Sequence, residues 1–188
     1  VARRGHTVTS PLAATREYLE AMDAASYTGA APTAPLRRVL AALGPRMLDL
    51  AAELTAGAHT YTVPVEHTAV ARKRLGEGPL LVVEQKVVLA GDPSEARRIA
   101  RRNVGGVLRL PNYANNLRRH GFTDDDFADR GSDRIIDALV AWGDVEAVRR
   151  RVTEHLDAGA DQVALQVIVE DPTTLPLREW RELAALLA

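Results

Sequence analysis

Gly44-Pro45-Arg46 stands where a short apolar run ends and a helical repeat begins. Glycine lets a backbone come close to an anion, and proline starts a helix without leaving an amide donor idle. The start of a helix also presents unpaired N–H groups and a partial positive charge, which is enough to bind phosphate. The same residues make a plain strand-to-helix turn, and their spacing leaves both readings open. Arg46 either adds charge to this turn or is solvated, and Ala42 and Leu43 would line it. His59, Thr60 and Tyr61 close a second apolar run. There His59 is either a proton donor or substrate contact, or a satisfied structural residue, and Tyr61 is a candidate substrate contact beside it. Glu84, Gln85 and Lys86 interrupt the apolar run 80–89. Residues i and i+2 of a strand share a face, so Glu84 and Lys86 are expected to pair, inside the fold or at a solvated strand end. His67 and His155 have no neighbouring carboxylate or thiolate set in sequence, so no metal site is expected. Neither G-x-S-x-G nor G-x-G-x-x-G occurs.

These residues need elements to hold them. Residues 1–10 lack periodicity and read as a loop, followed by a helix over 11–22 and a linker over 26–35. Then strand-length runs alternate with helical ones: a strand at 37–43 and a helix over 45–56, which Gly57 would cap in the left-handed conformation. A strand at 58–63 precedes a helix over 66–76 that closes on Gly76, and the strand 80–89 precedes a helix opening at Asp92-Pro93 with Glu95 in its first turn. A more polar insertion spans 105–143, with short helices at 115–120 and 132–140. A capped amphipathic helix over 144–159, a strand at 161–169 and a helix over 177–188 complete the chain. Four strand-then-helix units with strands apolar almost throughout predict an α/β fold whose parallel sheet is buried on both faces. An open doubly wound sheet and part of a (β/α) barrel both fit, since a complete eight-unit barrel needs about 250 residues.

Composition narrows the classes. The 188 residues are 46% hydrophobic, suited to one ordinary domain, with only 4% aromatic residues, so Ala, Leu and Val must do most of the packing. A formal charge of -1 gives no bulk attraction to nucleic acid or an anionic membrane, and the arginine run 97–102 reads as a solvated helix face. Cysteine is absent, which removes disulfides and thiolate chemistry and agrees with a cytoplasmic setting. No apolar run approaches the roughly 20 residues needed to span a bilayer, and the arginines at the start lack the apolar core of a secretory signal.

The stretches "VLAALGPRMLDLAAELTAGAHTYTVPVEHTAVARKRLG", "LPNYANNLRRHGF", "GFTDDDF" and "ALVAWGDVEAV" resemble the C-terminal half of luciferase-like monooxygenases, closest to the branch of oxidoreductases that use the deazaflavin coenzyme F420. The likeness runs from about Pro11 to the end. It implies a (β/α)8 barrel, with residues 1–188 as its C-terminal half and the first four strands absent. It also implies hydride transfer between coenzyme F420 and a small organic substrate, or FMN chemistry in the monooxygenase branch. Ala42, Leu43, Gly44, Pro45 and Arg46 then receive the cofactor phosphate, and the stretch 111–122 packs across the cofactor side or forms oligomer contacts. The alternative is a truncated, non-catalytic half-barrel. Because an uncovered sheet edge is a liability, a homodimer or higher homo-oligomer is expected.

Overall fold

Prolines and short polar side chains set most of the helix starts. In a computed structural model, residues 10–26, 28–30, 33–34 and 36–187 are described; positions 1–9 of the expected loop, 27, 31, 32 and 35 of the expected linker and 188 of the expected last helix lie outside them. Pro11, Pro45, Pro93 and Pro111 occupy the first turns of α1 (Pro11–Ala24), α2 (Pro45–Leu54), α4 (Pro93–Val107) and α5 (Pro111–Arg119). Side chains of Ser10, Asp92, Ser132 and Asp144 cap α1, α4, α7 (Asp133–Leu139) and α8 (Val145–Asp157). Thr123 and Asp126 form a reciprocal capping box on the single turn α6 (Asp124–Phe127). Helices α3 (Val65–Leu75) and α9 (Leu177–Leu183) complete the set, and Gly76 ends α3 at φ 77°.

Five parallel strands form one sheet: β1 (Val39–Ala41), β2 (Gly57–Thr60), β3 (Leu80–Val88), β4 (Val140–Trp142) and β5 (Gln162–Val167). Strand β3 is central. Val82 and Val83 pair with both β2 and β5, so these two strands take opposite edges; Lys86 and Val87 pair with both β4 and β5, so β4 continues the β2 edge. Residues in register share a face. One face carries Ala58, Leu81, Val83 and Val87, which are fully buried beneath α2, α3, α8 and the C-terminal helix. The other carries Val39, Ala41, His59, Val82, Glu84, Lys86, Ala164 and Gln166. A second apolar core lies at the carboxyl ends of β3 and β5, where Val88 and Ile168 meet Ile99, Val104, Leu117, Ile135 and Leu139.

The structure corrects four expectations. Burial on both faces holds along β3, where Glu84, Lys86 and Val88 are buried, and fails at β1, where Ala41 is exposed and Val39 is 37% exposed. Gly57 does not cap α2; it opens β2 at φ 154°, and an added Cβ would meet the Leu80 carbonyl oxygen at 2.0 Å. Helix α4 runs through Gly105 and Gly106 to Val107, because Gly105 lets Arg130 pack close, where a Cβ would sit 2.6 Å from the Arg130 Cβ. Residues 140–142 leave the helical pattern to pair with Lys86, Val87 and Val88, adding a fifth strand to the four expected.

Candidate active site

The strands are parallel, so their carboxyl ends lie together, and the residues singled out by type collect there. Gly44 is the N-cap residue of α2, with φ -81° and ψ 158°, and no side chain caps the helix. The turn is tied from behind: the Ala42 amide donates to the His59 carbonyl at 3.1 Å, and the buried His67 ring bonds the Leu43 carbonyl through Nε2 at 2.9 Å. In front it is open. The Gly44 and Arg46 amides donate to nothing among the described residues, and neither α1 nor α2 has an acidic side chain in its first turn. A cavity of about 330 Å³ lies at this point, lined by Ser10, Pro11, Gly44, Pro45, Arg46 and Arg119 among others. It joins the N-termini of two helices to two exposed arginines that form no ion pair among the described residues. Such a place favours an anion. Gly44 has an ordinary φ, and a Cβ there would point into open space. Packing does not demand glycine here, and the N-cap position itself favours it over alanine or valine.

On the face without packed helices, the paired strands build a second polar group. Lys86 is fully buried, and its Nζ donates to Glu84 Oε1 at 3.0 Å and to Gln166 Oε1 at 3.0 Å. The expected Glu84–Lys86 pair is therefore internal. Tyr61 covers it, with the ammonium 3.8 Å from its ring centroid and its hydroxyl donating to Gln166 Oε1 at 3.0 Å. Glu84 Oε2 accepts from the Thr62 amide at 3.0 Å, and that bond holds Thr62 at φ 54°, a strained conformation for a β-branched residue. The Thr62 hydroxyl is buried without a partner. Tyr113 of α5 meets the Tyr61 ring edge-on at 6.4 Å, and burial, then Tyr61 and Glu84, push its phenol pKa upward. This cluster can offer a substrate hydroxyl and amide groups over a neutralised charge pair.

His59 faces the same side as Glu84 and Lys86, is half-buried, and has no partner for Nε2. The structure thus brings Tyr61 into a hydrogen-bonded polar cluster and leaves His59 beside it without a bond. Sequence reasoning missed Gln166, Thr62 and Ser10 because their contacts depend on long-range pairing. Tyr113 and Arg119 lay in the marked stretch "PNYANNLRRHGF", and the structure turns them toward the two sites. The arginine run 97–102 is taken up in ion pairs: Arg97 with Asp137 and Asp133, Arg101 with Asp133, and Arg98 and Arg102 with Glu170. No group of three or more His, Asp or Glu side chains among the described residues could hold a metal ion. No helix among them is long and apolar enough to cross a membrane.

No protein-family model matches the chain, and no curated protein does. Solved structures do. An F420-dependent secondary alcohol dehydrogenase, solved with an F420–acetone adduct, superposes with a TM-score of 0.62 at 11% identity, over 87% of this chain and 58% of its own. The coenzyme F420-dependent tetrahydromethanopterin reductase from Methanopyrus kandleri gives 0.56 at 21% identity, over 70% and 45%. A third protein, MsnO8 in its apo form, gives 0.63 at 20% identity, over 99% and 63%. Over the matched span the chain shares the fold of these three structures. This agrees with the resemblance to the luciferase-like family, and the α/β parallel sheet agrees with barrel-type neighbours. The chain spans between 45% and 63% of the length of these structures.

Proposed function

We propose that the chain is the C-terminal half of a (β/α)8 barrel oxidoreductase that uses coenzyme F420 to oxidise or reduce a small organic substrate. The turn at Gly44 is the observation that carries this reading: an uncapped helix start with two free amides, in a cavity with two arginines that form no ion pair among the described residues. A ligand phosphate lying against the backbone accounts for it. Ala42, Leu43, Gly44, Pro45 and Arg46 would hold the phosphate end, with Arg119 and the start of α1 as a second arm. The coenzyme, when bound, supplies the hydride chemistry. The chain's own residues bind and orient it, and His59 and Tyr61 face the substrate from the ends of the strands. The face without packed helices and the 45–63% span relative to the neighbours support the half-barrel reading.

The test is a fluorescence titration of the purified chain with F420 and, separately, with FMN. Saturable F420 binding is expected, weakened about tenfold or more by Gly44→Val or Arg46→Ala. Gly44→Val should still fold, since the backbone angles suit valine and the added side chain meets open space, at a cost of about 1 kcal/mol because valine is the poorer N-cap residue. Tighter FMN binding would move the reading to the monooxygenase branch. Binding of neither, or variants that bind as well as the parent, would refute the phosphate cradle.

A second reading concerns assembly. The outer edges of β1 and β5 are unpaired among the described residues, and exposed strand edges recruit other strands. We propose that the chain self-associates as a homodimer or larger homo-oligomer. Sedimentation giving a well-behaved monomer at micromolar concentration would count against it.

A further inference from the structure

His67 lies in the first turn of α3, is 1% exposed, and is a polar ring buried beside an apolar core. Its Nε2 bonds the Leu43 carbonyl at 2.9 Å. A carbonyl only accepts, so Nε2 carries the proton and Nδ1 is bare. Nδ1 is also buried without a partner. A ring kept for packing alone would be expected either to satisfy both nitrogens or to be replaced by an apolar side chain. Here one nitrogen is left unsatisfied so that the other can hold a single peptide, the one immediately before Gly44.

That peptide matters because of what surrounds it. The Ala42 amide is fixed by β2, and the Gly44 carbonyl accepts from Met47 and Leu48 as α2 begins. The peptide joining Leu43 to Gly44 is the link between these anchors, and its N–H is one of the two free donors facing the cavity. Holding the Leu43 carbonyl toward α3 therefore turns the Gly44 N–H toward the cavity, since the two groups of a trans peptide point in opposite directions. The opposite side of the ring meets His120, 5.4 Å away between centroids and edge-on. His120 follows Arg119, which lines the same cavity. One side chain thus contacts both the peptide that carries the backbone donor and the residue next to Arg119.

We propose that His67 is a positioning residue for the anion turn, aiming the Gly44 amide and seating the Arg119 arm for a phosphate ligand. The inference rests on the phosphate-cradle reading and adds to it a residue that does not touch the ligand. The charged and titratable groups around the ring are His120 and Arg119 of α5, Glu66 on its own helix, and His155 of α8.

The experiment compares the chain with His67→Leu, which removes the donor at similar volume, and His67→Gln, which keeps an N–H donor. F420 affinity by fluorescence is the readout, with thermal unfolding measured alongside. The expected result is a loss of about tenfold or more for His67→Leu and rescue to within about threefold by His67→Gln, at comparable unfolding temperatures. A merely structural role would lower the stability of both variants and leave the affinity of the folded fraction unchanged; that result overturns the inference and leaves the cradle reading standing. Failure of the parent chain to bind F420 or FMN overturns both. Should His67→Leu not fold, the ring 15N signals of the unaltered chain decide: an Nε2–H resonance that shifts on saturation with F420 supports the role, and one that stays fixed overturns it.

Discussion

Acid should destabilise this protein well before its carboxylates titrate, and two buried histidines set the size of the effect. His155 accepts the Thr68 hydroxyl at Nδ1, 2.8 Å away, and donates from Nε2 to Gln85 Oε1 at 2.9 Å. The donor direction follows from Gln85, whose amide nitrogen is committed to the carbonyls of Lys86 and Leu139. His155 is therefore a neutral ring with both nitrogens engaged. His67 is neutral as well, and burial lowers both pKa values from 6.5 to about 4. A histidine whose folded pKa is lowered gives stability that is complete above the unfolded value and is lost as pH falls toward the folded one. Between pH 7 and 5 each ring then withdraws about 2 kcal/mol, and the two together about 4 kcal/mol. His120, also lowered by burial, acts in the same direction. A loss of that size is a large share of the 5–15 kcal/mol typical of a domain. Asp126 and Asp137, whose pKa values are lowered, hold their contribution to below about pH 4, outside this window. Urea unfolding followed by circular dichroism at pH 8, 7, 6 and 5 measures the slope. In His67→Gln/His155→Gln the intercept falls and most of the slope disappears. A stability flat between pH 7 and 5, or a slope that survives in the double variant, would refute the reasoning.

Lys86→Met leaves the Glu84 carboxylate buried without its ammonium partner and should cost about 3–5 kcal/mol in urea unfolding, while Lys86→Met/Glu84→Gln recovers most of it. A double variant no better than the single one would show that the pair is not what holds this face. Gly57→Ala puts a Cβ 2.0 Å from the Leu80 carbonyl oxygen and should cost about 3 kcal/mol or more, whereas Gly76→Ala, with open space around it, costs about 1 kcal/mol. Equal losses would remove the steric argument for Gly57. Arg119→Ala should weaken F420 binding about three- to tenfold at unchanged unfolding temperature, and the affinity of the parent should fall with added salt. An affinity indifferent to both would take α5 out of the site.

What the sequence made legible was local. Pro45 and Pro93 mark helix starts through backbone chemistry that needs no tertiary context, and Asp92 caps α4 as its spacing from Glu95 predicts. Glu84 and Lys86 pair because strand periodicity alone puts i and i+2 on one face. Expectations failed where a contact comes from far along the chain. Gly57 looks like a helix cap until β3 arrives against it, and 140–142 look helical until Lys86, Val87 and Val88 offer a strand edge. The arginine run, read as a solvated helix face, takes its carboxylates from Asp133, Asp137 and Glu170, all far along the chain.

The candidate site divides along that line as well. Gly44-Pro45-Arg46 is a contiguous motif, readable by residue type, yet its meaning was open because a plain turn and a cradle use the same three residues. Three features the sequence could not display tilt the balance: the start of α1 set against the start of α2, Arg119 brought in from α5, and open space where a Gly44 Cβ would go. Glycine at Gly57 is fixed by its positive φ and its crowding; neither applies at Gly44, where the local reason is the N-cap position, which favours glycine over alanine or valine but is served better by serine or aspartate. What makes the turn a place that would favour an anion is its two free amides and two arginines without an ion pair among the described residues.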